Sequence, residues 1–377
     1  MPVNKNQHYV PQFYQRRFSD DGKNVGAYLV DQLKAIPHAP IKSQASADYY
    51  YTSETNKPEN IETAFSKLEG IAKELMEKLD ANPRAPLSKQ DNLALYVFTI
   101  LQMGRTPTPA EDTKESANIT LRNVLRAQVQ IAKNSDSPEL ANFRDIPDDV
   151  IDNITLTDEY AKKVTLGSYL EMLPACIDLK QKILINQTST PFITSDNPVC
   201  LYNPFMEKMN HPLNGLGARG AIIFYPLSPK LSLLLYDEKV YKVGNRKQTF
   251  AEIHNPNDIR ELNKLTIINC DQVVYYKPSL TVQTSIEQLS KNSKAIREQD
   301  PVQDVSGIMA DTGNQIIGIA HNPYWCNLRL DFLKYWGSYS TITPQTFNPH
   351  IHRYREIAYH KEELKEYFFR KHKNKDQ

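Results

Sequence analysis

Four short polar motifs, far apart along the chain, carry residue types suited to chemistry. The first is His8-Tyr9-Val10-Pro11-Gln12. Histidine is the side chain whose ordinary pKa allows proton transfer near neutral pH. Pro11 favours a turn or a first helical position, and the spacing of His8 and Gln12 puts both on one side of a helical turn. The run beside them (Tyr9, Val10, Phe13, Tyr14, Phe18) predicts that this segment is docked into the fold. His8 is then either a proton-transfer group or a histidine that ties the segment down.

The second motif lies at the end of a helix running from Asp91 to Arg105. Leu93, Tyr96, Val97, Ile100, Leu101 and Gly104 form one apolar face, and Leu95, Phe98, Gln102 and Arg105 run along the other. A helix apolar on both sides is buried. A desolvated Arg105 therefore needs an anion. A bound phosphate and an internal carboxylate both qualify, unless Arg105 already lies past the helix end in solvent.

Third is Phe192-Ile193-Thr194-Ser195-Asp196-Asn197-Pro198, a β-prone run ending in a turn sequence. Asp196 at a strand end could accept a proton, orient His8 or ligate a metal. It could equally close an Asx-turn. Tyr225-Pro226-Leu227-Ser228-Pro229 reads as a rigid connection between strands, and Asn263, inside a helical pattern, is a further candidate. Gly-rich phosphate loops, GxSxG elbows and HExxH pairs are absent from the sequence. Cys176, Cys200, Cys270 and Cys326 have no zinc or disulfide spacing.

Long helices over Ile61–Leu79, Ser88–Arg105 and Ala110–Lys133 would position the first two motifs, Thr106-Pro107-Thr108-Pro109 stopping the second. The stripe of the first is Phe65, Leu68, Ile71, Ala72, Leu75 and Leu79. Before them come a strand at Val25–Asp31 and a loop reaching Tyr49–Tyr51. Another helix spans Asp158–Gln181. Short strands at Ile183–Gln187, Phe192–Thr194, Ala221–Tyr225 and Leu231–Tyr236 follow, then helices over Asn255–Tyr276 and Val282–Arg297. Later come strand candidates at Gln315–Ile319 and Arg329–Tyr335 and a basic helix at Lys361–Lys373. The expected fold is α+β, a helical N-terminal half packed on a small, mostly antiparallel sheet. Residues 1–297 form the core (helical 1–181, sheet-containing 182–297), and 298–377 form a mixed C-terminal elaboration.

Lys and Arg number 45 against 44 Asp and Glu, which argues against a protein that coats nucleic acid through many phosphate contacts but leaves room for a basic cleft. No run of apolar residues is long enough to span a membrane, and the N-terminus has no signal-peptide core, so a cytoplasmic location is expected.

His8-Tyr9-Val10-Pro11-Gln12-Phe13-Tyr14, Gln102 with Arg105-Thr106-Pro107, Thr194-Ser195-Asp196-Asn197-Pro198 and Pro226-Leu227-Ser228-Pro229 together resemble the bacterial family called domain of unknown function 4238, over roughly residues 6–280. The resemblance implies that the motifs belong to one domain. Such members look similar to toxins and phage-defence effectors, which points towards nucleic acid. The expectation is a metal-independent, cofactor-free nuclease acting on RNA. His8 would be general acid or base, Asp196 its orienting partner, and Arg105 the stabiliser of the pentavalent phosphate. Gln12, Gln102, Ser195, Asn197 and Asn263 would hold substrate. A partner protein of a defence system fits this picture, and the oligomeric state is open. The alternatives are an enzyme of nucleotide or NAD-like metabolites and a non-catalytic sensor with a small-molecule pocket.

Overall fold

A computed structural model describes residues 6–48, 50, 59–308, 315–316, 318–346 and 353. From the N-terminal end, β1 (Asn6–His8) leads through one helical turn, α1 (Gln12–Gln15), to β2 (Asn24–Leu29), β3 (Lys34–Pro40) and β4 (Ser46–Asp48). A helical layer follows: α2 (Glu59–Ala81), α3 (Lys89–Gly104), α4 (Pro107–Lys133), the short α5 (Asp148–Asp152) and α6 (Asp158–Met172). The central stretch holds β5 (Lys180–Asn186), β6 (Thr194–Ser195), β7 (Cys200–Tyr202), α7 (Pro204–Lys208), β8 (Ile222–Pro226) and β9 (Leu231–Tyr236). It continues with β10 (Tyr241–Val243), β11 (Phe250–Ile253), α8 (Pro256–Asn269) and β12 (Val273–Tyr276). Then come α9 (Gln283–Arg297), β13 (Val302–Asp304), β14 (Gly307–Ile308), β15 (Gln315–Ile316), β16 (Ile319–His321), β17 (Leu333–Tyr335) and α10 (Gly337–Thr341).

The fold is α+β, with two principal sheets. A five-stranded sheet runs β11-β5-β9-β8-β7 and is antiparallel except for the β11–β5 pair. Its strands alternate strictly, as a pleat demands. Ile183, Ile223, Tyr225, Leu233 and Leu235 face a core shared with Leu95, Phe98 and Ile100 of α3. Leu184, Ile222, Phe224, Leu234 and Tyr236 face a second core shared with Ile259, Leu262 and Leu265 of α8. Covered on both faces, β8 and β9 are buried along their whole length. A four-stranded antiparallel sheet, β3-β2-β12-β6, packs Tyr28, Val274 and Tyr276 against Ile267 of α8 and Ile286 of α9.

Several expectations need correction. The loop before Tyr49 contains β3, paired to β2 despite Pro37 and Pro40; these prolines are tolerated because β3 is an edge strand. Thr106-Pro107-Thr108-Pro109 stops α3 and also opens α4, with Thr106 at the N-cap position and Pro107 in the first turn, where its missing N–H is no loss. The helix expected to reach Gln181 ends at Met172, just before Pro174, and Lys180 already belongs to β5. The one expected to reach Tyr276 ends at Asn269, because Val273–Tyr276 is a strand. In α2, Ile71 is 41% exposed, and Met76 at 0% takes its place in the buried stripe. The expected helix at 361–373 lies outside the described residues. Ser88 caps α3, its hydroxyl accepting from the Asp91 amide at 3.0 Å.

Candidate functional site

The polar motifs meet, largely by holding one another's backbones. β1 pairs with β4, and the Tyr9 amide donates to the Ala45 carbonyl at 3.0 Å. Gln102 Nε2 on α3 donates to the Tyr9 carbonyl at 2.9 Å. Three residues on, Arg105 sets Nη2 3.1 Å from the His8 carbonyl, Nη1 2.7 Å from Glu69 Oε1 on α2, and its guanidinium 4.5 Å from the Phe65 ring. The anion that a buried Arg105 requires is thus an internal carboxylate. The half-buried His8 ring has Nε2 3.3 Å from Gln12 Nε2. Burial lowers its pKa, opposed by hydrogen bonds to backbone at Ile41 and Lys42. Gln12 Oε1 in turn accepts from Arg16 at 2.7 Å.

The same segment reaches the strand-end motif through Tyr14, whose hydroxyl lies 2.5 Å from Thr194 Oγ1 and donates to the Pro226 carbonyl at 2.6 Å. Thr106 donates to Asn197 Oδ1 at 2.8 Å, and Asn197 Nδ2 donates to the Asn269 carbonyl at 2.9 Å. Ser195 Oγ accepts from the Asn197 amide at 3.2 Å.

Asp196 is differently placed. Its carboxylate accepts from the amides of Asp271, Gln272 and Val273 at 2.9, 2.8 and 2.8 Å, fixing the turn from α8 into β12. Burial pushes its carboxyl up to about 7, against the pull of these amides. Asn263 accepts from the Ile193 amide at 3.1 Å and donates to the Pro191 carbonyl at 2.9 Å. Hydrogen bonds therefore join His8, Gln12, Gln102 and Arg105 into one cluster, with Ser195 and Asn197 linked to it through Thr106. Asp196 and Asn263 bind backbone elsewhere.

Beside this network opens a cleft of about 960 Å³ that the motif reading did not find. It lies between the first turns of α4, the strand-end motif, the end of α8 and the segment after α9. Asn197 belongs to both. Thr108, Ser116 and Asn214 line it, and Thr108 Oγ1, Ser116 Oγ and Asn214 Oδ1 are buried without hydrogen-bond partners among the described residues. Asp112 stands in the wall. Burial, then Glu111 and Asp300, push its carboxyl up to about 6. Asp271, also in the wall, is raised by burial, with Arg297 opposing.

Arg297 is already engaged. It donates to the carbonyls of Ile267, Cys270 and Asp271 at 2.9, 2.6 and 2.8 Å and lies 3.3 Å from Asp31. It therefore caps the C-terminal end of α8. The Cys270 thiol is raised well above its ordinary value by burial, so it is no ready nucleophile. Near the start of α4, Pro107 and Pro109 supply no N–H, which weakens this helix end as a phosphate cradle. Among the described residues, no three His, Cys, Asp or Glu side chains are placed to hold a metal ion, and no helix is long and apolar enough to cross a membrane.

Asp112 does not stand out in the sequence, because Pro109-Ala110-Glu111-Asp112-Thr113 reads as a solvated first helical turn, with acidic residues in a usual place. The signal that could have raised it is the second half of Thr106-Pro107-Thr108-Pro109, which fixes a helix start beside Asn197. No curated protein and no solved structure matches the chain. One family model does, over residues 6–279, well over half of the sequence, in agreement with the resemblance carried by the four motifs. The chain belongs to the family described as protein of unknown function (DUF4238).

Proposed function

We propose that this chain takes a small, uncharged or cationic polar molecule into the cleft and that Asp112 exchanges a proton with it. The supporting observation is a carboxyl shifted to about 6 in the wall of a 960 Å³ cavity. A shifted carboxyl in a cleft is a candidate functional group, and near neutral pH it can give or take a proton. The volume suits a metabolite. The lining supports the ligand's charge. Asp112 and Asp271, both in the wall, repel phosphates. This favours a metabolite enzyme or a sensor over cleavage of RNA by His8, Arg105 and Asp196. Those three are occupied with Gln12, Glu69 and backbone amides. A place in a toxin or phage-defence system is compatible with either alternative.

The test is calorimetric binding of nucleosides, polyamines, nucleotides and short RNA to the purified chain, beside an RNA cleavage assay. Binding of uncharged or cationic compounds, lost in Asp112→Asn at unchanged fold, is expected. RNA cleavage that disappears in His8→Ala at unchanged melting temperature, with Asp112→Asn fully active, would overturn the proposal.

A further inference from the structure

We propose that the cleft selects a ligand with a planar, nitrogen-bearing ring, and that Tyr324 and His321, outside the region shared with the family, decide which ring. This deepens the cleft reading and rests on it. The family match ends at residue 279, yet the cleft wall continues into Arg297, His321 and Tyr324. Arg297 is occupied by the carbonyls at the end of α8, so recognition chemistry from this wall comes from the other two.

Tyr324 is held from both sides. Upstream, β16 pairs with β13, and Asn123 of α4 donates to Asp304 Oδ2 at 2.9 Å and Ser306 Oγ at 3.0 Å. Downstream, the Cys326 amide donates to the Tyr202 hydroxyl at 2.8 Å and Lys264 Nζ to the Cys326 carbonyl at 3.0 Å. A site pinned on both flanks is preorganised. Tyr169 enters from α6, its ring fixed against Gly104, where an added Cβ would lie 2.6 Å from the ring. Both phenols feel the Asp112 charge and are pushed up to about 12, largely by burial, so both stay neutral beside it. Two neutral aromatic rings near one carboxyl suit a flat ring whose N–H or ring cation meets Asp112. His321, on an exposed strand position, can give or accept a hydrogen bond at the ring edge.

The experiment is calorimetry on the full chain with adenosine, cytidine and their 5′-monophosphates. At least one nucleoside should bind, with its monophosphate weaker by about tenfold, since among the described residues the wall offers acids and no free cation. Tyr324→Ala should weaken the bound nucleoside by about ten- to a hundredfold and Tyr324→Phe by less than about threefold, the range expected for one stacked ring. His321→Ala should change the adenosine-to-cytidine ratio. This readout remains if Tyr324→Ala fails to fold. If Asp112→Asn abolishes binding while the Tyr324 and His321 variants keep wild-type affinity and ranking, the cleft reading stands and this inference falls. If no nucleoside binds the wild-type chain at about 1 mM, a weak-binding limit, the planar-ring inference falls. Should the polyamines also fail to bind, the cleft reading falls with it.

Discussion

Asp112 is more readily protonated in the fold than in an unfolded chain, its carboxyl rising from 3.8 to about 6. Between those values the folded chain holds a proton that the unfolded chain has released, so this group's contribution to stability falls as pH rises from about 4 to 6 and is constant above. Asp112→Asn should therefore melt roughly 2–5 °C above wild type at pH 7 and close to it at pH 4, as scanning calorimetry would show. A variant that gains stability while losing binding is what a strained functional group predicts. Asp196 should behave in the opposite sense. Its three amide bonds close the turn before β12, and Asp196→Ala leaves three part-buried donors unmatched. A loss of about 3 kcal/mol or more in urea unfolding is expected. A loss under about 1 kcal/mol, within the range of ordinary surface substitutions, would mean that water replaces the carboxylate there.

Among the elements, α3 is the one whose role was clearest from its sequence. Helical periodicity placed Leu95, Phe98, Gln102 and Arg105 on one buried stripe, and all four are at most 5% exposed. What periodicity could not say is what meets the two polar ends, since the Tyr9 and His8 carbonyls and Glu69 come from other segments. β12 was hidden for a related reason. Val273-Val274-Tyr275-Tyr276 prolongs the apolar pattern of α8, and the break at Cys270–Gln272 is imposed by Asp196 from a distant strand. The cleft was illegible because Asp112, Asp271 and Tyr324 are far apart in sequence: Asp112 falls in a helical turn that looks solvated, while Asp271 lies inside the apolar pattern running from α8 into β12. If Arg105 acts by fastening β1 to α2 and α3, Arg105→Ala should lower stability by about 3 kcal/mol. The Tyr9 and Val10 amides should then exchange hydrogen faster. Adding Glu69→Ala should restore part of the loss, because the stranded carboxylate is gone. Arg105→Lys with unchanged melting and abolished activity would return this residue to a substrate-binding role.

In the molecule as a whole, the family region is incomplete as a packing unit. Val282 and Ile286 complete the core of the four-stranded sheet, and Cys326, Leu328 and Leu333 complete the core beneath β7 and α8. A chain ending at residue 279 exposes the partners of all five, at about 1.5–3 kcal/mol for each large side chain. It should be insoluble or melt well below the full chain; a soluble fragment with wild-type melting would make the rest a dispensable addition. The edge strand β3 has a consequence of another kind. An open strand edge invites pairing with a second chain, and Lys34-Ala35-Ile36-Pro37-His38-Ala39-Pro40 presents that edge with two positions unable to donate a ladder bond. Proline at an edge position removes a donor on which the added ladder of a fibril depends. Pro37→Val should leave the monomer's melting point nearly unchanged while making it deposit, at high concentration on long incubation, aggregates that bind amyloid dyes.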